Sequence, residues 1–249
     1  MSEKPELSQE DILEDLFKSV PKDVEVVADF PSRGQFYKPL DASKEITITP
    51  LTFAIEKKLV NYEGEEVLDC MIKNCLHNMD YRQLLPMDKL YVLIKIRELS
   101  WGADFSSTVT CPFCGVQDPI KILISELPIK YLPEDYPNPI ERELPVSKLT
   151  IKVRLVDQGS LDYMDTLEKS DINAWRFVES ISNSERTVKD KKTIQKAIQR
   201  LPLPDRHTML KLISPPDYGI ETNFLYECEK CEKTIEMEVP FSKDFFTMS

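Results

Sequence analysis

At 249 residues, with 41% hydrophobic and 30% charged side chains, the chain has the length and composition of a soluble globular protein with a sizeable core. Its 43 acidic residues against 32 basic ones leave a net charge of −11, which repels nucleic-acid phosphates and anionic membranes unless a basic patch is segregated on one face. The densest basic stretch, Lys189 to Lys196, reads instead as the solvated side of a helix.

In chain order, the acidic start has no signal-peptide core, and the longest apolar run, Leu90 to Leu99, is too short and too charged to span a bilayer. The expected setting is therefore the cytoplasm, where closely spaced cysteines are more often metal ligands than disulfides. Ser8 to Asp11 forms a capping box ahead of Ile12, Leu13, Leu16, Phe17 and Val20, an apolar stripe that predicts a short amphipathic helix. Such a helix is marginal alone and must dock on its own domain or on a partner. Strands are expected at Val24 to Phe30 and Ile46 to Thr49, then helices at Leu51 to Val60 and Val67 to Leu76. A central buried helix over Leu90 to Leu99 should end near Gly102. Phe105 to Thr110 then reads as a strand running into Cys111-Pro-Phe-Cys114-Gly115, with Ile120 to Ile124 returning.

Five prolines between Leu127 and Pro145 mark a linker. Beyond it a strand is expected at Leu149 to Leu155, followed by helices at Leu161 to Leu167, Ile172 to Ile181, Thr187 to Leu201 and Asp205 to Ile213. Strands flanking Cys228-Glu-Lys-Cys231 close the order. The layout suggests an α+β fold of two similar halves, helices with small β-hairpins joined by a split four-cysteine site resembling a zinc ribbon. Its parts are an amphipathic arm at 1–22, modules at 23–126 and 146–240, the linker at 127–145, and an apolar tail at 241–249. One continuous domain with a shared helical core is the alternative.

The two CxxC pairs carry the strongest chemistry. Each puts two thiolates on one side of a tight turn, and four sulfurs complete the closed tetrahedron of a structural Zn²⁺ site with no position left for substrate. Cys111, Cys114, Cys228 and Cys231 are thus the expected ligands, and the long spacer makes the ion a joint between distant parts of the chain. Cys111-Pro-Phe-Cys114 also looks like the glutaredoxin redox motif. There the first cysteine opens a helix, whereas Gly115 and Pro119 oppose one here. Cys70, Cys75 and His77 do not all come to one helix face and predict no second site. With two histidines, six glycines and no phosphate-cradling loop, neither an enzyme nor a small-molecule substrate is expected.

The order of short motifs is itself informative. Phe30-Pro-Ser-Arg-Gly-Gln-Phe-Tyr37, Ile46-Thr-Ile-Thr-Pro-Leu-Thr52, Ile94-Lys-Ile-Arg-Glu-Leu-Ser-Trp-Gly102 and the two CxxC pairs resemble a family of tailed-phage baseplate proteins. The likeness is closest to the T-even-type baseplate hub proteins, and in length to the hub assembly factor. It implies a chaperone-like late protein that binds other baseplate hub proteins in the host cytoplasm, acting without nucleic acid or membrane. A structural hub component and a zinc-ribbon nucleic-acid-binding protein are the alternatives. Ile12, Leu13, Leu16 and Phe17 at one end, and Phe245 and Phe246 at the other, are the candidate partner contacts. One position departs from the family pattern: Glu232 follows the second knuckle where glycine is usual, so it should adopt a left-handed conformation at some cost.

Overall fold

The computed structural model describes residues 8, 10, 12, 13, 16, 26–155, 157, 174–213, 216–239 and 243–246. Its helices and small antiparallel sheets make an α+β fold. Strands β1 (Val26–Val27), β2 (Thr47–Ile48) and β3 (Leu76–His77) form a three-stranded sheet. Helix α1 (Phe53–Leu59) starts at Thr52, whose hydroxyl accepts the Ile55 N–H at 3.4 Å. Helix α2 (Glu65–Cys75) buries Val67, Cys70, Met71, Ile72 and Cys75 on one face. Helix α3 (Pro86–Trp101) begins earlier than its apolar run, because Pro86 is pre-set for a first turn that needs no N–H, and it stops at Gly102 (φ 88°).

Two hairpins carry the cysteine turns: β4 (Asp104–Thr110) with β5 (Gln117–Leu123), and, far along the chain, β12 (Asn223–Glu227) with β13 (Thr234–Glu238). Between them lie β6 (Ile129–Lys130), β7 (Ile140–Glu143), β8 (Thr150–Val153), β9 (Val178–Ser182) and β10 (Thr187–Val188). They are followed by α4 (Lys191–Ile198), α5 (Leu203–Ile213) and β11 (Gly219–Ile220), and the last described element is α6 (Lys243–Phe246).

The apolar side chains divide the chain differently from the expected modules at 23–126 and 146–240. One cluster runs from Phe30 to Leu132 and is completed by Tyr218, Ile220, Val239, Phe245 and Phe246. A second is local, built from Leu144, Ile151, Val153, Val178, Ile181, Ile194 and Met209 under the sheet β10-β9-β8-β7. The proline-rich stretch 127–145 is bound into both clusters. Strand β6 pairs with β11, Leu132 N–H donates to the Pro31 carbonyl at 2.8 Å, and Leu132 and Leu144 are fully buried. The likeness between the halves resides in their knuckle hairpins. Their other sheets differ in strand number and order.

Several local expectations are corrected. Of Val24 to Phe30 only Val26–Val27 pairs as a strand among the described residues. Ile172 to Ile181 is not one helix: a 3₁₀ turn at Ala174–Phe177 leads into β9, whose Ile181 sits opposite Ile151 of β8. A short apolar run cannot by itself distinguish helix from strand, and cross-strand pairing decides. Thr187–Val188 is likewise strand, and the helix waits for Asp190, whose carboxylate accepts the Thr193 N–H at 2.8 Å. The expected helix at Leu161 to Leu167 lies outside the described residues.

Candidate metal centre

The two cysteine turns have the same backbone design. In the first, Gly115 N–H donates to the Cys111 carbonyl (2.9 Å) and Cys111 N–H to the Val116 carbonyl (2.9 Å). In the second, Glu232 N–H donates to the Cys228 carbonyl (2.8 Å) and Cys228 N–H to the Lys233 carbonyl (3.1 Å). Closing such a turn requires a positive φ at the residue after the second cysteine, and both comply: 70° at Gly115 and 54° at Glu232. A side chain at that φ costs roughly 1–2 kcal/mol, so the second knuckle carries the strain anticipated from its sequence.

All four sulfurs lie within 4.8 Å of one another. Cys111 Sγ stands 3.7 Å from Cys231 Sγ, and Cys114 Sγ 3.7 Å from Cys228 Sγ. Sulfurs placed at about 2.3 Å around one tetrahedral ion stand about 3.8 Å apart, whereas a disulfide needs about 2.05 Å. The four residues therefore fit a shared metal ion, and the donor set is compatible with zinc.

The thiols sit in different electrostatic surroundings. Burial raises the Cys111 thiol, but the N–H groups of Cys114 and Phe113 and the neighbouring thiols more than offset it, bringing it down to about 7. Cys231 gains from the Lys233 N–H, yet burial and the three other sulfurs push it up to about 12. Cys114 is raised as well: the Val116 N–H favours its thiolate, while burial and the Cys111 and Cys228 thiols outweigh it. Four thiolates this close share a site stably when a cation lies among them.

Other contacts hold the hairpins together around the sulfurs. Tyr226 Oη donates a short hydrogen bond to Asp118 Oδ2, which lies 3.9 Å from Cys228 Sγ, and Lys233 Nζ sits 4.2 Å above the Phe113 ring. Each is worth about 1 kcal/mol, an order of magnitude less than a structural metal.

The candidate partner residues separate into two groups. Ile12, Leu13 and Leu16 are helical and exposed, with Ile12 N–H donating to the Ser8 carbonyl at 3.1 Å; Phe17 lies outside the described residues. Phe245 and Phe246 are corrected. Both are buried, Phe245 packs edge-on against Phe105 (4.6 Å), and Arg97 stacks on it at 5.2 Å, so the C-terminal rings complete the core and present no surface to a partner.

One polar centre had no sequence signal. Buried Asp88, in the first turn of α3, accepts Ser32 N–H at 3.0 Å and a short hydrogen bond from Tyr37 Oη, which in turn accepts Leu85 N–H at 2.9 Å. Burial raises the Asp88 carboxyl above its ordinary range, although the bonds from Ser32 and Tyr37 act to lower it. The turn Pro31–Phe36 is held at this point, with consecutive positive φ at Arg33 (58°) and Gly34 (63°). Ser32, Gly34 and Tyr37 of the Phe30–Tyr37 motif thus have a structural reason.

Among the described residues no helix is long and apolar enough to cross a membrane. No curated protein and no solved structure matches the chain. Comparison with protein families matches residues 11–247 to the family described as T4 bacteriophage base plate protein. With nearly its whole length covered, and with the motif turn and knuckles formed as described, the chain belongs to this phage baseplate family, and its role is baseplate-related.

Proposed function

We propose that this protein is an assembly factor for the central hub of the baseplate, a metal-stapled binding protein that acts in the host cytoplasm by engaging other hub proteins. The observation that supports the reading is the N-terminal arm. Ile12, Leu13 and Leu16 are 45%, 54% and 65% exposed on a helical segment whose sequence is otherwise acidic. An apolar face of this kind, exposed among the described residues, suits reversible protein contact. The metal in this reading is Zn²⁺, held by Cys111, Cys114, Cys228 and Cys231. It has a structural role: four protein ligands leave no open position for water or substrate, so the activity is binding without catalysis. The net charge of −11 disfavours a nucleic-acid target.

Quantitative mass spectrometry of purified virions tests the proposal. An assembly factor is absent or far below one copy per hub subunit. Stoichiometric recovery in the tail overturns the reading in favour of a resident hub component.

A further inference from the structure

Charge is unevenly divided over the chain. From Arg186 to Ile213 the sequence carries eight cations and two acids, and both acids are already engaged. Asp190, which also faces Lys192, accepts the Thr193 N–H, and buried Asp205 accepts the N–H groups of Val146 and Ser147. Lys196 lies on the side of α4 opposite buried Ile194, and Arg200 and Arg206 are exposed on the turn into α5 and on its first turn. None of these three cations forms an ion pair among the described residues. Leu203, between the two arginines in sequence, is 76% exposed. The outer face of the β12–β13 hairpin is the chemical complement. Strand alternation puts Asn223, Leu225 and Glu227 on one side with their cross-strand partners Glu238, Glu236 and Thr234, and all six are exposed. Leu225, 74% exposed, therefore sits among Glu227, Glu236 and Glu238. The hairpin's cations lie off this face, Lys233 above the Phe113 ring and Lys230 in the knuckle turn.

We infer that the α4–α5 turn of one copy docks on the outer face of the β12–β13 hairpin of a second copy. Leu203 meets Leu225, with Lys196, Arg200 and Arg206 facing Glu227, Glu236 and Glu238. A second copy is the occupant because both members of the complementary pair belong to this chain and stand uncovered on it. An exposed leucine amid the cations offers nothing to a phosphate backbone, which favours protein over nucleic acid. The contact lies away from the N-terminal arm, so it goes beyond the assembly role proposed above and does not depend on it.

Sedimentation velocity of the full-length protein tests it. Wild type is expected to self-associate reversibly at micromolar concentration in low salt, and to dissociate as added salt screens the ion pairs. Lys196→Glu with Arg200→Glu reverses one face, and Glu236→Lys with Glu238→Lys reverses the other. Each double variant alone should associate on the order of tenfold more weakly than wild type. The two mixed must regain most of the wild-type affinity, because every contact between them again joins opposite charges. A wild type that is monomeric at 100-micromolar order, a reversed variant that associates like wild type, or a mixture no tighter than its components each overturns the proposal. So does a single-stranded DNA oligonucleotide that binds wild type and is released by the Lys196→Glu, Arg200→Glu pair, which would assign the turn to nucleic acid. Circular dichroism confirms that the variants fold; should one fail, Arg200→Glu alone or Glu236→Lys alone takes its place.

Discussion

Replacing Cys111 and Cys228 by serine, singly and together, asks whether one ion fastens the two hairpins. Binding free energy at a structural zinc site is folding free energy, on the order of 10 kcal/mol. Two polar contacts between the knuckles are small by comparison: the Tyr226–Asp118 hydrogen bond and the Lys233–Phe113 contact add roughly 1 kcal/mol each. Either serine forfeits the ion, so the second substitution has nothing further to remove. Cys111→Ser, Cys228→Ser, the double variant and chelator-treated wild type should therefore share one urea unfolding curve, well below that of metal-loaded protein. Elemental analysis should find about one zinc per wild-type chain and none in the variants. Amide hydrogen exchange supplies the local reading, with β12 and β13 losing protection first. Additive losses in the double variant would mean two independent sites, and a chelator that leaves the wild-type curve unmoved would refute the shared ion.

Two further outcomes follow from the backbone and from the buried acid. Glu232→Gly relieves a positive φ and should raise stability by about 1 kcal/mol, while Gly115→Ala at the matching position should lower it by a similar amount, both read from denaturation midpoints. Because the folded Asp88 carboxyl binds its proton more tightly than the unfolded one, its contribution is fully present below the ordinary carboxylate pKa near 4 and is lost as pH rises through the elevated value. Asp88→Asn should flatten that part of the stability–pH profile, and an unchanged slope above pH 4 would show that the carboxyl is not perturbed.

How far the molecule could be read beforehand depended on the range of the interactions. The knuckles were legible because two residues of spacing specify a turn, and even the conformation of Glu232 followed from comparison with Gly115. Helix α3 was legible from its apolar run and Gly102. The segment Ile172 to Ile181 was not, because its strand exists through pairing with β8, and nothing local distinguishes that from a helix. The tail is illegible for a related reason: Phe245 and Phe246 look open until Phe105 and Arg97, far away in sequence, are placed beside them. The Asp88 centre joins Ser32 to a residue 56 positions later, a distance over which periodicity carries no information.

The nesting of the second cluster inside the first has a consequence for synthesis. All the side chains of the inner cluster, Leu144 to Met209, are available once that stretch has left the ribosome, whereas the outer one needs Phe30 together with Phe246. At roughly 5–20 residues per second, the nascent chain spends several seconds with the α2–α3 face lacking its late-arriving cover. The inner unit is thus positioned to mature first, and the outer one, with the four cysteines drawn together, closes only after the second knuckle hairpin and Phe246 have emerged.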